Sequence, residues 1–218
     1  MSDEEITAGF RALSTATVSD ALDRLGLLGA AIGLAPLAPG QRMVGRAFTV
    51  RYVPVGVPAG TVGDYIDDVP AGSVVALDNA GRTDCTVWGD ILTAVAHRAG
   101  IAGTVVNGVP RDVRRALDLG YPIYSRGRLM RTGKDRVEVA ETGGTISLGT
   151  VQVKPGDLLI GDDDGVLAVP RSREADVLAA AREIAEREDR IVADALTGTS
   201  LRQARARYGY HALQQRVG

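Results

Sequence analysis

An α/β fold is predicted, with a helical extension at the C-terminal end. Three observations carry that prediction. Residues 74–119 read strand–helix–strand–helix, the order that builds a parallel α/β unit. Residues 122–169 break into short β runs separated by glycine turns, which suggests a β-rich layer against that unit. Residues 171–196 form the longest helical pattern, alanine-rich and charged.

The elements follow in order. Ser2 and Glu5 have the spacing of a capping box, so a short helix begins there. A second helix is expected over about 17–25, stopped by Gly26. Residues 26–42, rich in Gly, Pro and Ala, read as a loop. Met43 to Val53 is β-branched and partly alternating, and Pro54 ends it. Val74 to Leu77 is a continuous apolar run, as in a strand buried on both faces. Ile91, Leu92, Val95 and Ala99 recur at helical spacing, which predicts a helix over 90–99 closed by Gly100. Residues 103–107 read as another buried strand and 111–119 as a short helix closed by Gly120. The later β runs cover 122–125, 136–140, 145–153, 157–160 and 165–169. Gly198 breaks the long helix, and 200–208 form a last one. The predicted division is 1–170 as an α/β catalytic domain and 171–218 as a helical extension. That extension is long enough to reach a neighbouring subunit; its plainer use is as a solvated flank on its own domain.

Composition narrows the function classes. The chain has 218 residues, ample for a hydrophobic core. Its 25 Lys+Arg against 27 Asp+Glu give a net charge of −2, so a nucleic-acid partner is not expected. No apolar stretch approaches the roughly 18 residues needed to span a bilayer, so no membrane partner is expected. The acidic start, Met-Ser-Asp-Glu-Glu, lacks the basic and apolar pattern of a secretory leader. Cys85 is the single cysteine. Together these point to a cytoplasmic protein.

The chemistry concentrates in 89–112. Twenty residues separate Asp90 from Arg111, and Asp112 follows at once. Asp90 opens a predicted helix, whereas Arg111-Asp112 lies past the carboxyl end of a strand, where open α/β sheets bind ligands. The two groups can therefore converge across one crossover. The helix start offers the Ile91 and Leu92 amides and a positive dipole end, which suit a carboxylate. Arg111 can hold carboxylate or carbonyl oxygens with a planar fork. Asp90 and Asp112 supply hard oxygens, as Mg²⁺ prefers. This set suits a 2-oxo acid and the enolate formed when its carbon skeleton breaks. The plain alternative for an Arg-Asp pair is a helix cap with a surface ion pair.

The segment Gly89-Asp90, then Gly103-Thr-Val-Val-Asn-Gly108-Val-Pro-Arg111-Asp112, resembles the D-x20-R-D signature of the class II 4-hydroxy-4-methyl-2-oxoglutarate aldolases, which group with the regulators of ribonuclease activity A. Ser14 to Asp23, Gly120 to Arg126, and Lys154-Pro-Gly-Asp157 with Gly161 to Val166 extend the resemblance over about residues 12 to 200. It implies a β/β/α swivelling-domain fold, assembled as a homotrimer or dimer of trimers with sites at subunit interfaces. It further implies Mg²⁺- or Mn²⁺-dependent cleavage of 4-hydroxy-4-methyl-2-oxoglutarate or 4-carboxy-4-hydroxy-2-oxoadipate to pyruvate, with oxaloacetate decarboxylation as a side activity. Carried over by position, Asp112 is the direct metal ligand and Asp90 acts through metal-bound water. Arg111 holds the pyruvyl oxygens, and the amides of Ile91 and Leu92, after Gly89, hold its carboxylate. A glutamate from a neighbour's C-terminal helix completes the site. Glu188 is the best match, with Glu183 and Glu186 as competitors. Relatives often carry Asp-Gly where this chain has Asn107-Gly108, a departure that alters site charge.

Other constellations are weaker. Lys134 and Lys154, the only lysines, lie in glycine-flanked turns that suit a Schiff base poorly. His97 and His211 are too few for a histidine-bound zinc. Asp162-Asp163-Asp164-Gly165 lacks the terminal glutamate of a calcium loop and reads as a tight turn. Cys85 reads as a buried apolar residue, and Trp88 as core or pocket mouth. Arg202, Arg205, Arg207 and Arg216 read as a solvated face. The alternative function is a ribonuclease-regulating binding module; the extension beyond residue 171 favours the aldolase.

Overall fold

Strand β2 (Met43–Pro54) organises the sheet. It runs parallel to β3 (Val74–Asp78) through its middle residues, antiparallel to β6 (Val137–Thr142) through its last, and antiparallel to β9 (Leu158–Asp162) through its first. A register shift at Arg51/Tyr52 adapts β2 to β6. β4 (Gly103–Asn107) and β5 (Ile123–Ser125) continue the parallel order beyond β3. β1 (Ala35–Pro36) caps that edge, and β10 (Gly165–Val169) caps the other. The eight-stranded sheet thus has the order β1-β5-β4-β3-β2-β9-β10, with β6 on β2. Its ends approach each other, and Ala31 N–H donates to the Val166 carbonyl at 3.0 Å, so the sheet is nearly a closed barrel. A separate hairpin joins β7 (Ile146–Leu148) to β8 (Val151–Val153).

Side chains alternate between two cores, as the two-residue period of a strand requires. Val75, Leu77, Val106 and Ile123 enter one, with Trp88 and Tyr121. Val74, Ala76, Val105 and Tyr124 enter the other, with Leu148 and Leu159. Burial on both faces explains why these strands read as unbroken apolar runs rather than alternating ones. The helices α3 (Asp90–Arg98) and α4 (Val113–Leu119) pack on each other beside the parallel strands.

The computed structural model describes residues 1–210, and its contacts form two compact units, 30–171 and 1–29 with the chain from 172 onward. The second unit holds α1 (Asp3–Arg11), α2 (Thr15–Arg24), α5 (Glu174–Leu196) and α6 (Leu201–Arg207). The capping box forms: Ser2 N–H donates to Glu5 at 2.7 Å and Glu5 N–H to Ser2 Oγ at 3.2 Å. Both N-terminal helices pack on α5 through buried Ile6, Phe10, Val18 and Leu22. Their apolar stripes therefore group them with the C-terminal helix, whereas the sequence division at 170 places them with the sheet.

Several boundaries differ from expectation: α2 begins at Thr15 rather than 17, the loop expected over 26–42 contains the short strand β1, and α5 begins at Glu174 after a 3₁₀ turn at Arg171–Arg173. The run 145–153 is a hairpin broken at Gly149-Thr150. α4 starts at Val113, because Asp112 takes a left-handed backbone and holds itself and Arg111 outside the helix. A 3₁₀ turn at Asp64–Asp68 was not expected. Asp162–Asp164 forms the β9–β10 turn, with Asp164 N–H on the Asp162 carboxylate at 3.0 Å. His97 is exposed on α3, Cys85 is fully buried, and His211 and Arg216 lie outside the described residues. Among the described residues no helix is long and apolar enough to cross a membrane.

Candidate active site

The segment 85–88 is a hub. Thr86 forms parallel bridges with Val109 on one side and Thr132 on the other. Its N–H and its hydroxyl both donate to the Arg131 carbonyl at 3.0 Å. Two residues on, the Trp88 carbonyl accepts the Arg111 N–H at 2.9 Å. Residues 86–90, 109–112 and 131–134, which come from three separate loops, are thereby held side by side. From these segments Thr86 to Asp90, Arg111, Thr132 and Lys134 line a cleft of about 660 Å³, together with a wall drawn from the stretch 60–67, a size suited to a small molecule. That last wall is tethered by Glu138, which accepts the Gly60 and Gly56 amides at 2.7 and 3.1 Å; these two donors hold its carboxyl below the usual carboxylate range.

The convergence expected of Asp90 and Arg111 is present: both line the cleft, with Gly89, Ile91 and Leu92. Gly89 has extended backbone (φ −151°), so its glycine is a matter of space. A Cβ there would stand 3.2 Å from Asp112 Oδ2 and 3.5 Å from Arg111 Nε. Asp112 itself is at the rim, not in the cleft wall, because its carboxylate turns towards Arg111 Nε at 3.3 Å. It lies at the N-terminus of α4 but makes no capping hydrogen bond, so the helix-cap explanation does not account for it. The ion pair does form, but it is about half exposed, and such pairs are worth about 0–1 kcal/mol. Asp112 also has φ +52° and ψ +35°, a left-handed conformation uncommon outside glycine that clusters at functional sites and costs about 1 kcal/mol or more.

The start of α3 differs in one respect from expectation. The Ile91 N–H donates to Asp90 Oδ1 at 2.9 Å, so a substrate carboxylate would have to displace that contact. The Leu92 amide has no acceptor among the described residues. Trp88, both buried and part of the cleft wall, donates its indole N–H to Thr93 Oγ1 at 2.9 Å and stacks on Tyr121 at 6.3 Å.

Among the described residues no group of three or more His, Cys, Asp and Glu side chains is gathered to hold a metal. The donor set around Gly89 is two carboxylates. That is too little for zinc or calcium and fits Mg²⁺ or Mn²⁺, which complete their shells with water and substrate. Asp112, uncommitted to any cap, fits a direct ligand.

Glu183, Glu186 and Glu188 belong to the helical unit. Glu183 pairs with Arg24 at 2.8 Å and with Arg187, which lower its carboxyl pKa; Glu186 pairs with Arg190. Glu188 is different: partial burial, then the charges of Asp20 and Asp189, raise its carboxyl above the ordinary value. A raised carboxyl stabilises the fold below the unfolded-state pKa near 4.3 and loses that contribution as pH rises through its folded value. Glu188→Gln is accordingly expected to raise the melting temperature at pH 7 but not at pH 4, as thermal unfolding followed by circular dichroism at the two pH values will read.

Sequence reasoning missed two parts of the cleft. Lys134 is exposed, as expected of its turn, yet lines the cleft. Residues 60–67 also line it, and only the glycine-rich stretch 56–63 before an acidic run hinted at an ordered loop.

A family model described as RraA-like, Aldolase/RraA, matches residues 15–168. Protein DlpA of Legionella pneumophila is 40% identical over 200 residues, which are 90% of this chain and 32% of that protein; the chain thus spans about a third of that relative. A Halalkalibacterium halodurans protein named "Putative 4-hydroxy-4-methyl-2-oxoglutarate aldolase" is 36% identical over 80% of each chain. An uncharacterized protein from Pseudomonas syringae has a crystal structure that superposes with a TM-score of 0.87 at 42% identity, covering 93% of this chain and 97% of its own. Streptomyces coelicolor RraAS2, described as an unusual member of the RNase ES inhibitor RraA protein family, superposes with a TM-score of 0.80 at 27% identity, over 86% and 96%.

Proposed function

This chain belongs to the RraA-like (Aldolase/RraA) family, and from that premise we propose that it is a divalent-metal-dependent pyruvate aldolase. Its substrates are 4-hydroxy-2-oxo acids with one or two further carboxylates, of the 4-hydroxy-4-methyl-2-oxoglutarate and 4-carboxy-4-hydroxy-2-oxoadipate type, with oxaloacetate decarboxylation as a side activity. The observation that carries this reading is the gathering of Asp90, Arg111 and the uncapped Asp112 around Gly89 at one cleft. The name of the H. halodurans relative supports the substrate class.

Asp112, with Asp90 through water, would hold Mg²⁺ or Mn²⁺, and such an ion supplies Lewis-acid polarisation of the 2-keto oxygen. Arg111 binds the pyruvyl oxygens with its fork. The Leu92 amide, with Ile91 once released from Asp90, receives the substrate's C1 carboxylate at the positive end of α3. A base takes the proton from the 4-hydroxyl; the C3–C4 bond breaks, C4 becomes a carbonyl, and C3 leaves as the enolate carbon of pyruvate. A proton returned to C3 completes the reaction. Glu188 of a neighbouring copy, its carboxyl pKa raised, is the candidate to move one of these protons in a trimer or dimer of trimers.

Pyruvate formation from 4-hydroxy-4-methyl-2-oxoglutarate and oxaloacetate, measured with EDTA and again with added Mg²⁺ or Mn²⁺, tests the reading. Release that EDTA abolishes and the ion restores is expected; turnover indifferent to EDTA rejects metal dependence. The second reading, a ribonuclease-regulating module, is favoured by the likeness to RraAS2. It predicts tight ribonuclease capture in a pull-down with no metal-dependent turnover.

A further inference from the structure

We propose that Lys134 selects substrates bearing a carboxylate at the end remote from the pyruvyl group, an inference that rests on the aldolase reading. A 4-hydroxy-2-oxo diacid carries two anionic ends, and the cleft must answer both. Arg111 and the α3 amides answer the first. Of the described residues lining the cleft, Lys134 is the only other cation. The remaining charged groups in the wall, Asp64, Asp67 and Asp90, repel a carboxylate; the Thr61, Thr86 and Thr132 side chains offer it neutral hydroxyls without a countercharge, and the Trp88, Leu92 and Val95 side chains are apolar. Among the described residues the Lys134 ammonium makes no ion pair, so no internal partner must be given up to bind an anion.

The lysine is also fixed relative to the pyruvyl-binding end. Its segment is fastened to the Asp90 segment by the two hydrogen bonds from Thr86 to the Arg131 carbonyl. Gly133 lies so close that a Cβ there would come within 2.3 Å of the Thr86 carbonyl, and the Lys134 N–H is held by Thr132 Oγ1 at 3.2 Å. Against that rigid backbone, lysine's four-carbon stem places a point charge that can meet carboxylates at slightly different reach. A guanidinium would demand one geometry; an ammonium suits a family of diacids.

The test separates binding from turnover. Titration calorimetry in the presence of Mg²⁺ compares 2-oxoglutarate with 2-oxopentanoate, which share chain length and the 2-oxo acid end but differ in the distal carboxylate. The unaltered protein is expected to prefer 2-oxoglutarate by about 10- to 100-fold, the worth of one charge-assisted contact. Lys134→Met is expected to erase most of that preference and raise KM for the diacid aldol, and Lys134→Arg to retain part of it. If Lys134→Met keeps the full preference while pyruvate release continues, the Lys134 assignment is overturned and the aldolase reading stands. If the unaltered protein neither binds a 2-oxo acid nor releases pyruvate, the aldolase reading fails and the assignment falls with it.

Discussion

Asp112→Asn is expected to lower metal-dependent pyruvate release by at least about 10³-fold, some 4 kcal/mol of barrier, without unfolding the protein. Asparagine keeps the shape of the side chain and tolerates the left-handed backbone at φ +52°, so only the charge is lost. The ion pair to Arg111 disappears, but a half-exposed pair contributes at most about 1 kcal/mol. A melting temperature shifted by less than about 4 °C is the corresponding result. Arg111→Ala removes the fork that holds the pyruvyl oxygens and is expected to cost about 10²–10³-fold, the usual loss for one donor to developing charge. Near-full turnover in either variant, measured as pyruvate release under saturating Mg²⁺, would remove the assignment of this cleft as the catalytic centre.

Asn107→Asp is expected to destabilise the sheet unit strongly although it is isosteric. Asn107 is 4% exposed and every polar atom of its amide is engaged. Its Nδ2 donates to Asp78 Oδ1 at 2.9 Å and to the Ser147 carbonyl at 3.1 Å, and its Oδ1 accepts from Arg126 Nε at 2.9 Å. Asp78 takes two further donors, the Ala80 and Ser147 amides at 2.9 and 3.1 Å. An aspartate at 107 would set a second carboxylate against the first and withdraw the donor between them. Losing that donor and adding like-charge repulsion costs about 3 kcal/mol, a fall of roughly 6–12 °C in melting temperature. That repulsion requires both carboxylates to be ionised, so the loss is expected to be greatest at neutral pH and to recede in acid. An Asn107→Asp protein as stable as the parent at pH 7 would show that the amide network is dispensable. Asn107 thus belongs to a network with Asp78, Ser147 and Arg126 that the sequence alone does not display, and it is not among the residues lining the cleft, so the expected change in site charge is not seen there.

Where local chemistry and tertiary packing agree, sequence was a sufficient guide. The Ser2–Glu5 capping box, the buried runs 74–78 and 103–107, and α3 are legible because each is dictated by neighbours in the chain. The convergence of Asp90 and Arg111 on one cleft was legible for a topological reason: a strand–helix–strand crossover returns both ends to one sheet edge. The rest depends on long-range contacts. The grouping of α1 and α2 with α5 joins the two ends of the chain. The left-handed backbone at Asp112 leaves no mark on composition or periodicity. Lys134 looked like an ordinary turn residue because the Thr86 bridges that place it at the cleft join residues 46 positions apart.

Those bridges separate labour as well as join loops. Thr86 holds its neighbour by main-chain atoms and one hydroxyl, so the 131–134 strip presents its outward side chains free of the joint. With the roles proposed for Arg111 and Lys134, the groups that handle the enolate and the one that inspects the departing carbonyl fragment sit on different segments of the chain. Rewriting the second should retarget the protein to new acceptors while the first keeps its chemistry.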